Sequence, residues 1–345
     1  MDGRPTLETV ARRADVSLQT VSKVLKAPHL VREETLERVQ AAIAEVGYRP
    51  HGAARQLRTS RSRVIGLRLP PSTAGINGAV LDRFLHALTA EAQRHGYRVM
   101  LFTAPDDDGE IAGYAELLDT LQIDAFVLTS THHDDPRTAW LAARGIPFVT
   151  FGRPWSSAAG VDGHPWVDVD GAAGTRAATE HLLERGHRRI AFLGWPEGSD
   201  TGDDRREGWR DAMLAAGVTA AEIDGLTLGV EDGVAEGSAA ATRLLGESAP
   251  TAFVCTSDSL ALGVLAATRS GGDHAQVAVV GFDDTPVARA IGLTSIAQPV
   301  AESAASALTL LLRRLGRTDG PAPTDEQVLL MPQLVVRATS AGPAP

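Results

Sequence analysis

The sequence predicts an α/β protein with a small all-helical amino-terminal unit followed by two doubly wound α/β lobes. Three observations carry that reading. Helical periodicity fills roughly the first 46 residues, apolar strand-like runs alternate with amphipathic stretches beyond residue 63, and a loop rich in Gly, Pro, Ser and Trp (GRPWSSAAGVDGHPW) interrupts the alternation midway. At 345 residues and 43% hydrophobic composition, the chain can bury more than one core.

The amino-terminal unit reads as three helices. Leu7, Val10, Ala11 and Ala14 share one face, with Thr6 placed to cap it; Asp15-Val16-Ser17 is a short turn. Ser17 can cap a second helix whose inner face is Val21, Val24 and Leu25. Leu36, Val39, Ile43 and Val46 give a third. A brief turn between the first two fits a helix-turn-helix, whose second helix enters a major groove leading with its N-terminal residues. Those are Leu18, Gln19 and Lys23: Gln can bond an adenine edge twice, Lys can reach guanine acceptors, and Leu can touch a thymine methyl.

Charge supports a polyanion partner for this end. Up to Arg63 there are 12 Lys+Arg and 7 Asp+Glu, a balance of +5, and the remainder carries 21 and 36, a balance of −15 that completes the net −10. The stretch GYRPHGAARQLRTSRSR has five arginines and no acid, with Leu57 as an apolar wedge suited to a minor groove. Residues 51–62 read as a conditionally formed hinge helix or linker.

In the acidic part the runs VIGLRL, RVMLF, DAFVLTS and PFVTFG alternate with helical stretches, and after the loop RIAFLGW, LTLG, AFVCTSD and VAVVGFDD continue the pattern. Ligands of such sheets bind beyond the carboxyl ends of the strands, here between the lobes. No nucleophile elbow, phosphate loop or paired-cysteine motif occurs, so neither catalytic residue nor cofactor is assigned. Cys255, within an apolar run, reads as a buried hydrophobe. His132-His133-Asp134-Asp135 could offer metal ligands, but adjacent loop residues rarely converge on one ion, and no metal is assigned. The start MDGRPTLETV has no basic-then-apolar pattern and no run suits a membrane helix, so a cytoplasmic location is expected.

TLETVARRADVSLQTVSKVL and TLERVQAAIAEVGYRPHGAARQL together resemble the DNA-binding headpiece and hinge of the lactose-repressor (LacI) family of bacterial transcription regulators. VDVDGAAGTRAATEHLLERGHRRIAFLG, RREGWRDAM, TSDSLALGVLAA, VAVVGFDD and LTSIAQP extend the resemblance over nearly the whole chain. It implies base reading by Leu18, Gln19 and Lys23, backbone contacts by Thr6, Ser17, Thr20, Ser22 and Tyr48, and minor-groove insertion by Leu57 within Ala54-Arg55-Gln56-Leu57. Asp15 replaces the usual glycine of the turn, Lys23 the usual arginine, and Arg32 the usual serine cap.

The same resemblance implies a regulatory domain similar to type I periplasmic sugar-binding proteins. Residues 63–162 and 292–325 are assigned to a first lobe, and 163–291 and 326–340 to a second. Arg205 and Asp258 match effector-contact positions; Asp170, Phe282 and Gln298 match cleft-lining or crossing positions. Trp155, Trp166 and Trp195, read as lying in loops after strands, suit the apolar faces of sugar rings, and Asn77 suits hydroxyl recognition. The reading is a dimeric repressor that binds a pseudo-palindromic double-stranded operator and is released by a small-molecule effector, a di- or oligosaccharide. A purine, nucleoside or phosphosugar effector is the alternative, and a sugar-binding protein without a DNA role the more distant one.

Overall fold

The computed structural model describes residues 5–26, 28–48, 62–70, 78–155, 163–270, 277–316 and 326–342. The chain divides into a unit of residues 1–62 and a unit of residues 63–345. The expected hinge helix lies outside the described residues, as do Ala54, Arg55, Leu57 and Asn77.

In the first unit, helices α1 (Leu7–Ala14), α2 (Leu18–Lys26) and α3 (Glu33–Val46) enclose a small core of Val10, Ala11, Ala14, Val21, Val24, Val39, Ala42 and Tyr48. Thr6 caps α1 by accepting from the Thr9 N–H, and the Thr9 hydroxyl accepts from the Thr6 N–H in return. Asp15 ends α1 in the left-handed region, φ 51° and ψ 51°, where its N–H reaches carbonyls at the end of the helix. A short polar side chain tolerates that conformation, which explains how an aspartate stands where glycine is usual. Ser17 Oγ accepts from the Thr20 N–H at 3.1 Å and starts α2. Arg32 precedes α3 without a side-chain capping bond, and Gly47 closes it with φ 65°.

The second unit contains two six-stranded sheets. Its first part runs β1 (Val64–Leu69), α4 (Ala79–Arg94), β2 (Arg98–Thr103), α5 (Asp107–Leu121), β3 (Ala125–Leu128), α6 (Pro136–Ala143), β4 (Phe148–Phe151) and β5 (Trp166–Val169). The next part runs α7 (Gly171–Glu184), β6 (Ile190–Gly194), α8 (Thr201–Ala215), α9 (Ala220–Asp224), β7 (Thr227–Gly229), α10 (Val234–Ser248), β8 (Ala252–Cys255), α11 (Asp258–Ser270), β9 (Ala278–Phe282), α12 (Pro286–Ile291) and β10 (Thr294–Ala297). Then come α13 (Val300–Arg314), β11 (Gln327–Leu330) and β12 (Gln333–Val335).

Strand order is β11-β5-β4-β3-β1-β2 in the first sheet and β12-β10-β9-β8-β6-β7 in the second. All pairings are parallel except β10 with β12. The chain therefore passes between lobes three times, after β5, after β10 and after β11. This corrects the expected boundaries. Residues 166–169 pair with β4 and belong to the first lobe, although the sequence reading began the second lobe at 163. Strand β10, expected in the first lobe, pairs with β9 in the second, and β11, expected in the second, pairs with β5 in the first. Non-local pairing, invisible to periodicity, decides each case.

Near-continuous apolar strands buried on both faces form the cores, as parallel sheets require. The first lobe packs Ile65, Leu67, Val127, Val149 and Val167 against Phe84 and Leu88 of α4 and Ala304, Leu308 and Leu311 of α13. The second centres on Phe192, Trp209, Phe253 and Val279. Helices α7 and α8 approach closely because position 208 is glycine: a Cβ there would lie 2.0 Å from the Ala172 carbonyl oxygen. Cys255 is buried, and its thiol is raised by that burial, so it is inert.

Candidate functional site

Two surfaces gather the singled-out residues, one on each unit. On the first, the buried Val21 and Val24 turn one side of α2 inward, which fixes the opposite side outward. At about 100° per residue, Leu18, Ser22, Gln19 and Lys23 occupy one arc of about 140°. Leu18, Gln19 and Lys23 are exposed. Leu18 is 44% exposed, an apolar side chain held in water at the start of a helix whose neighbours are polar. Ser17 and Thr20 bond to each other through their hydroxyls at 2.9 Å, and Thr6 is exposed at the start of α1. Tyr48 differs from expectation in emphasis: it is only 6% exposed and packs in the small core, so its ring is structural.

On the second unit, the carboxyl ends of the strands bring Arg205, Trp195, Phe282, Asp283 and Gln298 together. Arg205 enters from α8 and is buried; its guanidinium carbon lies 3.6 Å from the Phe282 ring centre and 5.3 Å from that of Trp195. Its Nη1 donates to the Thr256 carbonyl at 2.6 Å and lies 3.9 Å from Asp283 Oδ1. Its Nε has no acceptor among the described residues, a donor that a ligand oxygen would satisfy. The neighbouring Arg206 is turned away from Phe282 and Trp195, to Asp203 and Glu197.

Burial pushes the Arg205 guanidinium below its ordinary value, opposed by Asp283, Asp168, Asp204 and Asp232. Asp204 and Asp232 are in turn raised, first by burial. The Ser257 hydroxyl donates to Asp232, and Trp195 approaches Asp232 closely enough to lower it without the geometry of a hydrogen bond. Arg153, from the end of β4, bonds Asp168 at 2.6 Å and Asp204 at 3.3 Å, and its guanidinium carbon lies 4.8 Å from the Trp155 ring centre. Position 171 is glycine for a visible reason: a Cβ would lie 2.7 Å from Asp204 and 2.9 Å from Arg205.

Three expected residues stand differently. Asp258 is 1% exposed, and both carboxylate oxygens are taken, Oδ1 by the Ser295 hydroxyl at 2.6 Å and Oδ2 by the Thr285 N–H at 2.7 Å. Through these two bonds it anchors the loop after β9. Trp166 lies in no loop: it opens β5, three residues (about 10 Å) before the carboxyl end where Arg205 gathers its neighbours. Asp170 caps α7 by accepting from the Ala173 N–H at 2.8 Å.

The residue that sequence reasoning missed is Asp283. Its carboxylate accepts from Gln298 Nε2 at 2.6 Å and faces Arg205, and burial drives it up to about 7 although Arg205 pulls it down. The available signal was the pair of aspartates closing the apolar run VAVVGF. Among the described residues three bonds join the lobes here: Arg83 Nη1 to the Asp283 carbonyl at 3.0 Å, the His133 N–H to Asp200 at 2.8 Å, and Arg153 to Asp204.

The ligand atoms of Asp107, His132 and Asp135 lie within 4.8 Å of one another. The buried Arg137 already occupies both Asp135 oxygens, at 2.8 and 2.6 Å, and its fixed positive charge opposes a metal ion there. Among the described residues no helix is long and apolar enough to cross a membrane.

The sequence matches the family model of bacterial regulatory proteins of the lacI family over residues 6–51, and a periplasmic binding protein-like domain over 179–340. The HTH-type transcriptional regulator CelR of Thermobifida fusca is 34% identical, over 97% of this chain and 98% of its own. A solved complex of the transcriptional regulator CelR with cellobiose superposes with TM-score 0.70 at 31% identity, covering 98% of this chain and all of that one. The lac repressor dimer bound to operator and the anti-inducer ONPF superposes with TM-score 0.80 at 26% identity, covering 98% and 99%. A three-helix reader, two lobes closing on a buried arginine, and full-length similarity to such regulators agree: this chain is a DNA-binding transcription regulator and belongs to the LacI family of bacterial regulatory proteins.

Proposed function

We propose that the protein is a dimeric repressor working in the cytoplasm, that it holds a pseudo-palindromic operator, and that a neutral saccharide of two or more units releases it. One α2 covers only a half-site, so a specific operator needs two readers at fixed spacing. Leu18, Gln19 and Lys23 read base edges, while Thr6, Ser17, Thr20 and Ser22 face the backbone.

The observation that carries the effector class is the composition of the cleft. Arg205 and Arg153 stand among Asp168, Asp204, Asp232 and Asp283, with Trp195 and Phe282 on the faces of Arg205. Carboxylates and a guanidinium fork accept and donate to hydroxyls, and indole faces suit the apolar side of a pyranose. Carboxylates outnumber cations, so a phosphosugar would meet repulsion. The CelR complex with cellobiose supports a β-linked glucose disaccharide as the first compound to try.

A thermal-shift panel of cellobiose, other di- and trisaccharides, nucleosides and sugar phosphates tests the class, because a ligand of the folded state raises Tm by mass action. Stabilisation by a sugar phosphate or nucleoside alone would overturn it. Adding the stabilising compound to the operator complex should weaken DNA binding; tighter binding would reverse the proposed direction.

A further inference from the structure

The peptide unit between Asp283 and Asp284 is pinned at both ends, from different lobes. Its carbonyl oxygen accepts from Arg83 Nη1 of α4 at 3.0 Å, and its N–H donates to Ser295 Oγ of β10 at 3.0 Å. Ser295 is itself fixed, since its hydroxyl donates to Asp258 at 2.6 Å. Both flanking residues have positive φ, 103° at Asp283 and 48° at Asp284, a region that side-chain-bearing residues enter only when surroundings hold them there. A half-turn of this peptide plane would bring Asp284 to negative φ and withdraw both groups from Arg83 and Ser295 together. Such a flip would give the unit two discrete arrangements rather than a continuum.

The same unit is wired to the cleft. The Asp283 side chain faces Arg205 at 3.9 Å and accepts from Gln298, so a ligand that engages Arg205 or Asp283 weights one arrangement over the other. On the far side, Arg83 belongs to a stiff element: the adjacent Phe84 stacks on Phe151 of β4 with ring centres 4.3 Å apart, and α4 packs in the first-lobe core with α13. The other two bonds between lobes among the described residues end on carboxylates of Asp200 and Asp204, at the start of α8. They report how close the lobes are, whereas Arg83 reports which way a backbone peptide points.

We infer that Arg83 is the positioning residue through which occupancy of the cleft reaches the first lobe, by gripping the 283–284 peptide. The inference rests on the ligand-responsive reading above.

Amide hydrogen exchange on the full chain tests it, in two arms. Without ligand, Arg83→Ala should speed exchange in segment 283–285 by about tenfold or more, with α1–α3 and the strand cores unchanged and Arg83→Lys restoring protection. Equal exchange in Arg83→Ala and the unaltered protein would overturn the inference. Should Arg83→Ala lose protection throughout the unit, Ser295→Ala, which frees the other end of the same peptide, decides by the same criterion. With saturating cellobiose, the unaltered protein and Arg83→Lys should show changed exchange in α4, while Arg83→Ala binds within about threefold of the same Kd and leaves α4 unchanged. An α4 response in Arg83→Ala equal to that of the unaltered protein would refute the proposed role. If cellobiose does not bind the unaltered protein, the choice of sugar fails, and the ligand-free arm alone decides on Arg83.

Discussion

Gln298 Nε2 donates to Asp283 Oδ1 at 2.6 Å, which ties the segment where the chain returns to the first lobe to a part-buried carboxylate facing Arg205. The return segment and the ligand cleft are thereby one hydrogen-bonded unit.

Arg205 makes the nearest test of the cleft. Arg205→Lys keeps the charge but loses the fork and its planar stacking between Trp195 and Phe282, so affinity for the stabilising saccharide should fall at least about tenfold, or ~1.4 kcal/mol. Arg206→Lys should change it little, because Arg206 pairs with Asp203 and Glu197 at the surface. Isothermal titration of both variants separates the two; equal losses would contradict the placement.

Asp283 gives a pH signature with a defined sign. Its ordinary value is 3.8, and burial raises it to about 7 in the folded protein. The native form holds that proton more tightly, so the associated stability is complete below about pH 4 and is lost as pH rises through 7. His181 and His187, lowered first by burial and then by Arg185, act oppositely: their stability is present above pH 6.5 and lost as pH falls. Asp283→Asn keeps an acceptor for Gln298 and cannot ionise. Urea unfolding should show its advantage over the unaltered protein growing between pH 4 and 7 and levelling above; a pH-independent difference would show that Asp283 does not titrate in that window.

The headpiece has two correctable ends. Asp15→Gly relieves a left-handed residue, and Arg32→Ser supplies the missing cap of α3; each should stabilise α1–α3 by up to ~1 kcal/mol. Amide exchange of α1–α3 in the full chain measures both. Slower exchange is expected in each, and no change in Arg32→Ser would mean that Glu33 and Glu34 already satisfy the start of α3.

For the reader itself, Gln19→Ala and Lys23→Ala should each lose ~1–3 kcal/mol on a selected operator while binding random DNA nearly as before. Thr6→Ala should weaken both alike, as its proposed place against the phosphate backbone requires. Fluorescence polarisation against the two DNAs distinguishes base reading from general attraction.

These sites were legible in the sequence to different depths, for physical reasons. The headpiece was readable because its contacts are local: caps at Thr6 and Ser17 and a 3.6-residue period specify it within 48 residues. The strands β1–β4 and β6–β9 were readable from apolar runs. The short β5, beginning at Trp166, was hidden in a loop-like context, and only its pairing with Thr150 and Gln327 reveals it. Asp258 and Asp283 both follow an apolar strand and look alike in sequence. What separates them is that Ser295 and Thr285 hold the Asp258 carboxylate whereas Asp283 faces Arg205, a fact of tertiary packing. Asp283 also adopts a positive φ without being glycine, so the aspartate pair closing VAVVGF marked the place but not the backbone conformation.

The order in which the chain is synthesised gives β11 and β12 a further meaning. Among the described strands they are the last two made, and each completes a different sheet, so neither sheet can be complete before residues 327–335 have left the ribosome. The headpiece core, drawn entirely from residues 10–48, can close some 280 residues earlier at typical synthesis rates. The three-helix core therefore closes before either sheet is complete, and loss of residues 326–345 would strip an edge strand from both lobes at once.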